Sequence, residues 1–139
     1  MVRKHEFEIR IDRVFPDVIR GCAQREDTWI SEELITAYLM LHTKGIAHSV
    51  ESWQDGKLVG GLYGLAIGGA FFGESMFSTV SNASKFALVF LVELLNQRGF
   101  KLLDTQFMND HIRQFGAVEI PRVDYLRKLS GALTVKAAF

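Results

Sequence analysis

The sequence predicts an α+β fold, one sheet with helices laid on it, and three observations point there. Residues 5–14, HEFEIRIDRV, alternate Phe7, Ile9 and Ile11 with charged neighbours, the period of a half-buried strand. Residues 46–77 are a glycine-punctuated run with a turn signal at Asp55-Gly56, the pattern of an antiparallel meander. Residues 86–95, FALVFLVELL, are apolar almost all round, as in a helix buried on most sides. Strands and helices in this mixture fit one sheet packed against helices.

Each element follows in order. After the first strand, FPDVIRGCAQR predicts a short helix with Pro16 near its first turn. SEELITAYLMLHTKG predicts a second, with Ser31 as cap, acids in the first turn and Gly45 just past the end. Residues 46–53 predict a strand, and the run beyond Asp55-Gly56 predicts two more, hinged at Gly68-Gly69. Ser81 and Asn82 are expected to cap the apolar helix, which runs to Gly99. Residues 101–107 predict a short strand. NDHIRQFG predicts a short helix closed by Gly116, and VEIPRVDYLRKL a strand end followed by a helix starting near Pro121. No repeat, low-complexity segment or linker divides the 139 residues, so residues 1–139 are expected to form a single domain.

Composition narrows the partners. Sixteen Lys and Arg balance sixteen Asp and Glu, so no broad field draws the chain onto nucleic acid or anionic lipid. Cys22 is the only cysteine, which excludes an internal disulfide and suits a reducing compartment. The N-terminus has no apolar signal core, and the most apolar run is about half the roughly 20 residues a membrane span needs. No membrane association is expected. The histidines, His5, His42, His48 and His111, show no ligand spacing, so no metal site is expected.

Two short stretches carry candidate chemistry. In LLDTQF, Asp104 and Gln106 share one strand face, while Leu103 and Thr105 share the other. A carboxylate beside an amide that both donates and accepts suits a reacting centre; a cap or an arginine partner explains the aspartate equally well. In FFGESMF, strict alternation puts Phe72, Glu74 and Met76 on one face and Phe71, Gly73, Ser75 and Phe77 on the other. Glu74 is the odd member of an otherwise core-like stripe, and Gly73 beside it admits close backbone approach. The glycines of GGLYGLAIGG lack the spacing of a phosphate-binding loop and read as bulges and turns. Trp29 and Trp53 fit the core or a platform for a base.

Taken together, TWI, AYLMLHTKGIAHSVESW, LVGGLYGLAIGGAFFGESMFS, NASKFAL, LLDTQ and GAVEIPR resemble the catalytic domain of the leucyl/phenylalanyl-tRNA–protein transferase family, in its order, over roughly residues 28–122. The resemblance implies an acetyltransferase-like (GNAT-like) mixed sheet flanked by helices. It implies transfer of Leu, Phe or Met from aminoacyl-tRNA to the N-terminal Arg or Lys of acceptor proteins, marking them for N-end-rule degradation. Asp104 and Gln106 match the pair at the reacting centre. Glu74 matches a glutamate near the amino acid being transferred. Leu62, Phe71, Met76, Leu88 and Leu103 match the lining of its side-chain pocket, and Trp29 matches an aromatic that packs by the terminal adenosine.

The implied enzyme needs no cofactor, because the ester is already activated, and it is expected to be a cytoplasmic monomer. Family members carry a separate N-terminal domain that is expected to be missing here, and with it basic residues that meet the tRNA. A non-catalytic module that binds an aminoacylated 3′ end or an N-terminal residue is the alternative. A CoA-dependent acyltransferase is a third reading, disfavoured because no glycine-rich pyrophosphate loop opens a helix. Thr105 stands where the family commonly has cysteine.

Overall fold

The computed structural model describes residues 7–24, 30–105 and 120–139. The expected helix over 109–116 and the strand end before Ile120 lie outside the described residues. The described elements run β1 (Glu8–Ile11), α1 (Phe15–Ala23), α2 (Glu32–Thr43), β2 (Ala47–Gln54), β3 (Lys57–Ile67), β4 (Ala70–Ser78), α3 (Ala83–Gln97), β5 (Leu102–Asp104) and α4 (Arg122–Leu133). The strands form one sheet in sequence order, antiparallel from β1 to β4 and parallel between β4 and β5. Turn chemistry sets the hairpins. Asp55 and Gly56 both adopt positive φ, 52° and 77°, as a two-residue turn between right-twisted strands requires. At the next turn, Gly68 has φ 57° and backs onto α4: a Cβ there would meet the Leu133 carbonyl oxygen at 2.5 Å.

The helices cover both faces. On one, Leu88, Leu91 and Leu95 of α3 pack over Val50, Leu62 and Phe71. On the other, Phe15, Val18, Ile19 and Cys22 of α1 join Ile35 of α2, Ala47 and Tyr63. Each fully buried side chain of this size contributes about 1.5–3 kcal/mol. The expectation for α3 holds along most of its length, but Val89 is 40% exposed and marks its solvent edge.

Caps follow the sequence at one helix and depart from it at another. The Ser31 hydroxyl accepts from the Leu34 amide at 3.2 Å, as its place before the acidic first turn predicts. Asn82 sits at the N-cap of α3 in a left-handed conformation and makes no side-chain cap bond. The Ser78 hydroxyl accepts from the Ser84 amide at 2.8 Å instead, reaching back from the end of β4. A residue six positions away can take this role because the chain folds back tightly between β4 and α3.

The start of α1 is held from across the sheet. Glu51 is fully buried, yet its carboxylate accepts from the Val14 amide at 2.8 Å, the Ser49 hydroxyl at 2.7 Å and the Trp53 indole at 3.1 Å. A buried carboxylate is costly unless bonded in this way, and this one also sits at the positive end of a helix. Arg10 stacks 4.4 Å above the Trp53 ring.

Candidate active site

The site begins where two strands part. The described ladder between β4 and β5 comprises Ala70↔Leu102, Phe71↔Leu103 and Phe72↔Asp104, and ends there. Just past this point β4 bulges. Tyr63 of β3 pairs with Ser75 while Gly64 pairs with Gly73, so Glu74 is the extra residue. A bulge of this kind re-aims side chains and disturbs the ladder. Glycine makes it possible: a Cβ on Gly64 would meet the Phe72 carbonyl oxygen at 2.3 Å and the Phe71 ring at 2.5 Å.

The bulge corrects the expected faces. Strict alternation puts Phe71 and Phe77 together and Met76 opposite. In the structure Phe71 and Met76 both pack toward α3, whereas Phe77 packs toward α1. One inserted residue shifts the phase of everything after it.

On the α3 side the parting strands leave a small, open apolar cavity. Leu62, Met76, Leu88, Leu91 and Leu103 form its wall, and Gly73, Ser75 and Thr105 edge it at the split. Four of the residues named from the sequence thus stand on this wall: Leu62, Met76, Leu88 and Leu103. Phe71 does not. It is fully buried behind the lining, with its ring 5.3 Å from that of Phe139.

The carboxylates lie on the other face. Asp104 pairs with Phe72, and period-2 alternation turns it away from Leu103 and the cavity. Its Oδ2 accepts a hydrogen bond from the Tyr125 hydroxyl of α4 at 2.6 Å. That bond, followed by burial, pushes the Tyr125 phenol up to about 12. Glu74 projects toward α2 and hydrogen-bonds Tyr38, whose phenol is pushed up to about 12, chiefly by burial and then by the Glu74 charge. The Tyr63 phenol is also pushed up, first by burial and then by Cys22, Tyr38 and Glu74. Its hydroxyl is the one buried side-chain polar atom without a partner among the described residues. Polar groups and greasy cavity therefore occupy opposite faces of the sheet. Gln106 and Trp29, named from the sequence, lie outside the described residues.

Sequence reasoning missed Tyr125, Tyr38 and Leu91. Leu91 follows Leu88 at helical spacing and was legible as its partner. The tyrosines gave no local signal, because Tyr125 meets Asp104 across 21 residues of chain. Among the described residues, no group of three or more His, Cys, Asp and Glu could hold a metal ion. No described helix is long and apolar enough to cross a membrane.

A sheet of this order, split between parallel β4 and β5, places the chain among acetyltransferase-like folds. It resembles a ribosomal-protein-alanine N-acetyltransferase from Brucella melitensis biovar Abortus 2308 with TM-score 0.59 and 14% identity, over 84% of this chain and 96% of that one. It also resembles an aminoglycoside acetyltransferase from an uncultured soil metagenomic sample, with TM-score 0.55 and 11% identity, over 94% and 88%. Identities this low establish the fold alone.

Sequence kinship is more specific. The profile of the leucyl/phenylalanyl-tRNA protein transferase family matches residues 1–130. The leucyl/phenylalanyl-tRNA–protein transferase of Gloeobacter violaceus is 58% identical over 139 residues, covering 100% of this chain and 72% of that protein. Its namesake in Rubrobacter xylanophilus is 56% identical over 140 residues, covering 100% and 73%. The chain belongs to the leucyl/phenylalanyl-tRNA–protein transferase family.

Proposed function

We infer that this chain is an aminoacyltransferase that moves leucine or phenylalanine from aminoacyl-tRNA to the α-amine of a protein, with N-terminal Arg or Lys as the preferred acceptor. The observation that carries this reading is the apolar cavity at the β4/β5 split, with Asp104 at the last paired position beside it, in a chain of this family.

The chemistry suits these parts. The amine attacks the ester carbonyl, an amide bond forms and the ester bond to the terminal ribose breaks. Starting from an ammonium, two protons leave nitrogen: one ends on the ribose oxygen and one in solvent. The ester is the activated group, so the residues need only bind, orient and manage those protons. Asp104 seats the incoming ammonium, and Gln106 bonds the amine or the developing oxyanion. Glu74 holds polar groups of the aminoacyl end from the opposite face of the sheet, while Leu62, Met76, Leu88 and Leu103 receive its side chain; Trp29 packs by the adenosine. An apolar wall separates side chains by only about 1–3 kcal/mol per methylene, so Leu, Phe and Met share one pocket while charged residues are refused. Met76 adapts to each shape. Aminoacyl-tRNA places the reaction in the cytoplasm, and the chain works as a monomer.

The test is transfer of labelled Phe from Phe-tRNA to a peptide beginning with Arg. Wild type is expected to transfer, and Asp104→Ala to fall by about a hundredfold or more. Equal rates for the two proteins, or none for wild type, would remove the reading.

A further inference from the structure

We propose that Tyr125 is a positioning residue for Asp104, fixing the carboxylate's orientation for the incoming amine; this rests on the function proposed above. Its hydroxyl donates to Asp104 Oδ2 at 2.6 Å, within the short range of bonds to ionised acceptors, which are about twice as strong as neutral ones.

The phenol is itself held. The Tyr125 amide donates to the Pro121 carbonyl at 3.0 Å in the first turn of α4. At the far end of the helix, the Gly69 amide donates to the Ala132 carbonyl at 2.7 Å, and Gly68 lies against Leu133. Pinned to the β3–β4 turn at its C-terminal end, α4 sets where the hydroxyl reaches. Asp104 closes β5, and the Tyr125 hydroxyl fixes the direction of one of its two carboxylate oxygens. Misplacement of a group that must meet the amine by about 1 Å can cost about a hundredfold. A phenol is protonated at neutral pH in any case, and the bond to Asp104 pushes this one further up, to about 12, so it donates and does not act as a rival base.

A purely structural bond, tying α4 to the sheet, predicts something else, and a double-mutant cycle separates the two. Phe-tRNA transfer to the Arg-starting peptide is measured for wild type, Tyr125→Phe, Asp104→Asn and the double variant, below the unfolding midpoint of each. Tyr125→Phe is expected to lower kcat about tenfold with KM for Phe-tRNA within about twofold of wild type. On the Asp104→Asn background the same change is expected to add less than about twofold. An active wild type whose kcat is unchanged in Tyr125→Phe, or falls equally on both backgrounds, overturns the positioning role and leaves the transferase reading standing. A wild type without transfer removes the reading, and the role with it.

Discussion

Beneath α3 the sheet carries aliphatic side chains around an open hollow, with Leu62, Met76 and Leu103 rising from three strands to meet Leu88 and Leu91. On the opposite face the sheet carries Glu51, Tyr63, Glu74 and Asp104, most of them tied into directed bonds with α1, α2 or α4. The aliphatic face is shaped by volume and tolerates change of shape, since Leu, Met and Phe fill such a space at similar cost. The polar face is shaped by pairing, and a buried group that loses its partner costs more than the bond itself contributed. On the proposed function, breadth of side chain and exactness of attack are set separately in one small sheet.

The largest effect expected from this contrast is on the polar side. Glu51→Ala leaves the Val14 amide, the Ser49 hydroxyl and the Trp53 indole without their acceptor, at about 1–3 kcal/mol each for groups that stay dry. Denaturant unfolding is expected to show a loss of about 3 kcal/mol or more; a loss under about 1 kcal/mol breaks the contrast. On the aliphatic side, Met76→Ala is expected to cost about 2 kcal/mol, because its side chain is only partly buried. It also widens the cavity, so the ratio of Phe to Leu transfer is expected to rise by about tenfold, read by competition between the two charged tRNAs.

The smallest effect sharpens the contrast through pH. The phenols of Tyr38 and Tyr125 are raised in the fold to about 12 from an ordinary 10.0. A raised folded value favours the protonated form, so this stability is present below pH 10 and is lost as pH climbs toward 12. Unfolding followed across that window is expected to show the loss. Asp104→Asn is expected to diminish it, because Asp104 is the first cause of the Tyr125 shift, and to leave the part from Tyr38, where burial leads. The same alkaline loss in both proteins would mean that the Tyr125 bond is not made in solution.

Much of the fold was legible because its signals are local. Ser31, Asp55-Gly56 and Gly68 act on their own turns, and the stripe from Phe86 to Leu95 states a buried helix directly. The antiparallel meander was legible for the same reason. Phase was harder. Gly73 was read as room for close backbone approach, nothing nearby says that Glu74 is inserted, and alternation continued through it sends Met76 and Phe77 to the wrong sides. Glu51 was passed over because Ser49, Glu51 and Trp53 alternate like a solvated face; their donors and acceptor recognise one another only when α1 is laid on top. For the candidate site, the family blocks supplied Leu62, Met76, Leu88 and Leu103, which share one cavity wall. The same blocks put Phe71 with them, although it is buried behind that wall, and nothing near Asp104 announced Tyr125.

The bulge at Glu74 lets β4 carry one residue outside its pairing frame. Deleting that single residue would make Gly73 and Ser75 adjacent, as their partners Gly64 and Tyr63 already are, so the ladder would close up with Met76 still toward α3 and Phe77 still toward α1. The strand can thus gain or lose its one carboxylate here while the aliphatic wall stays where it is.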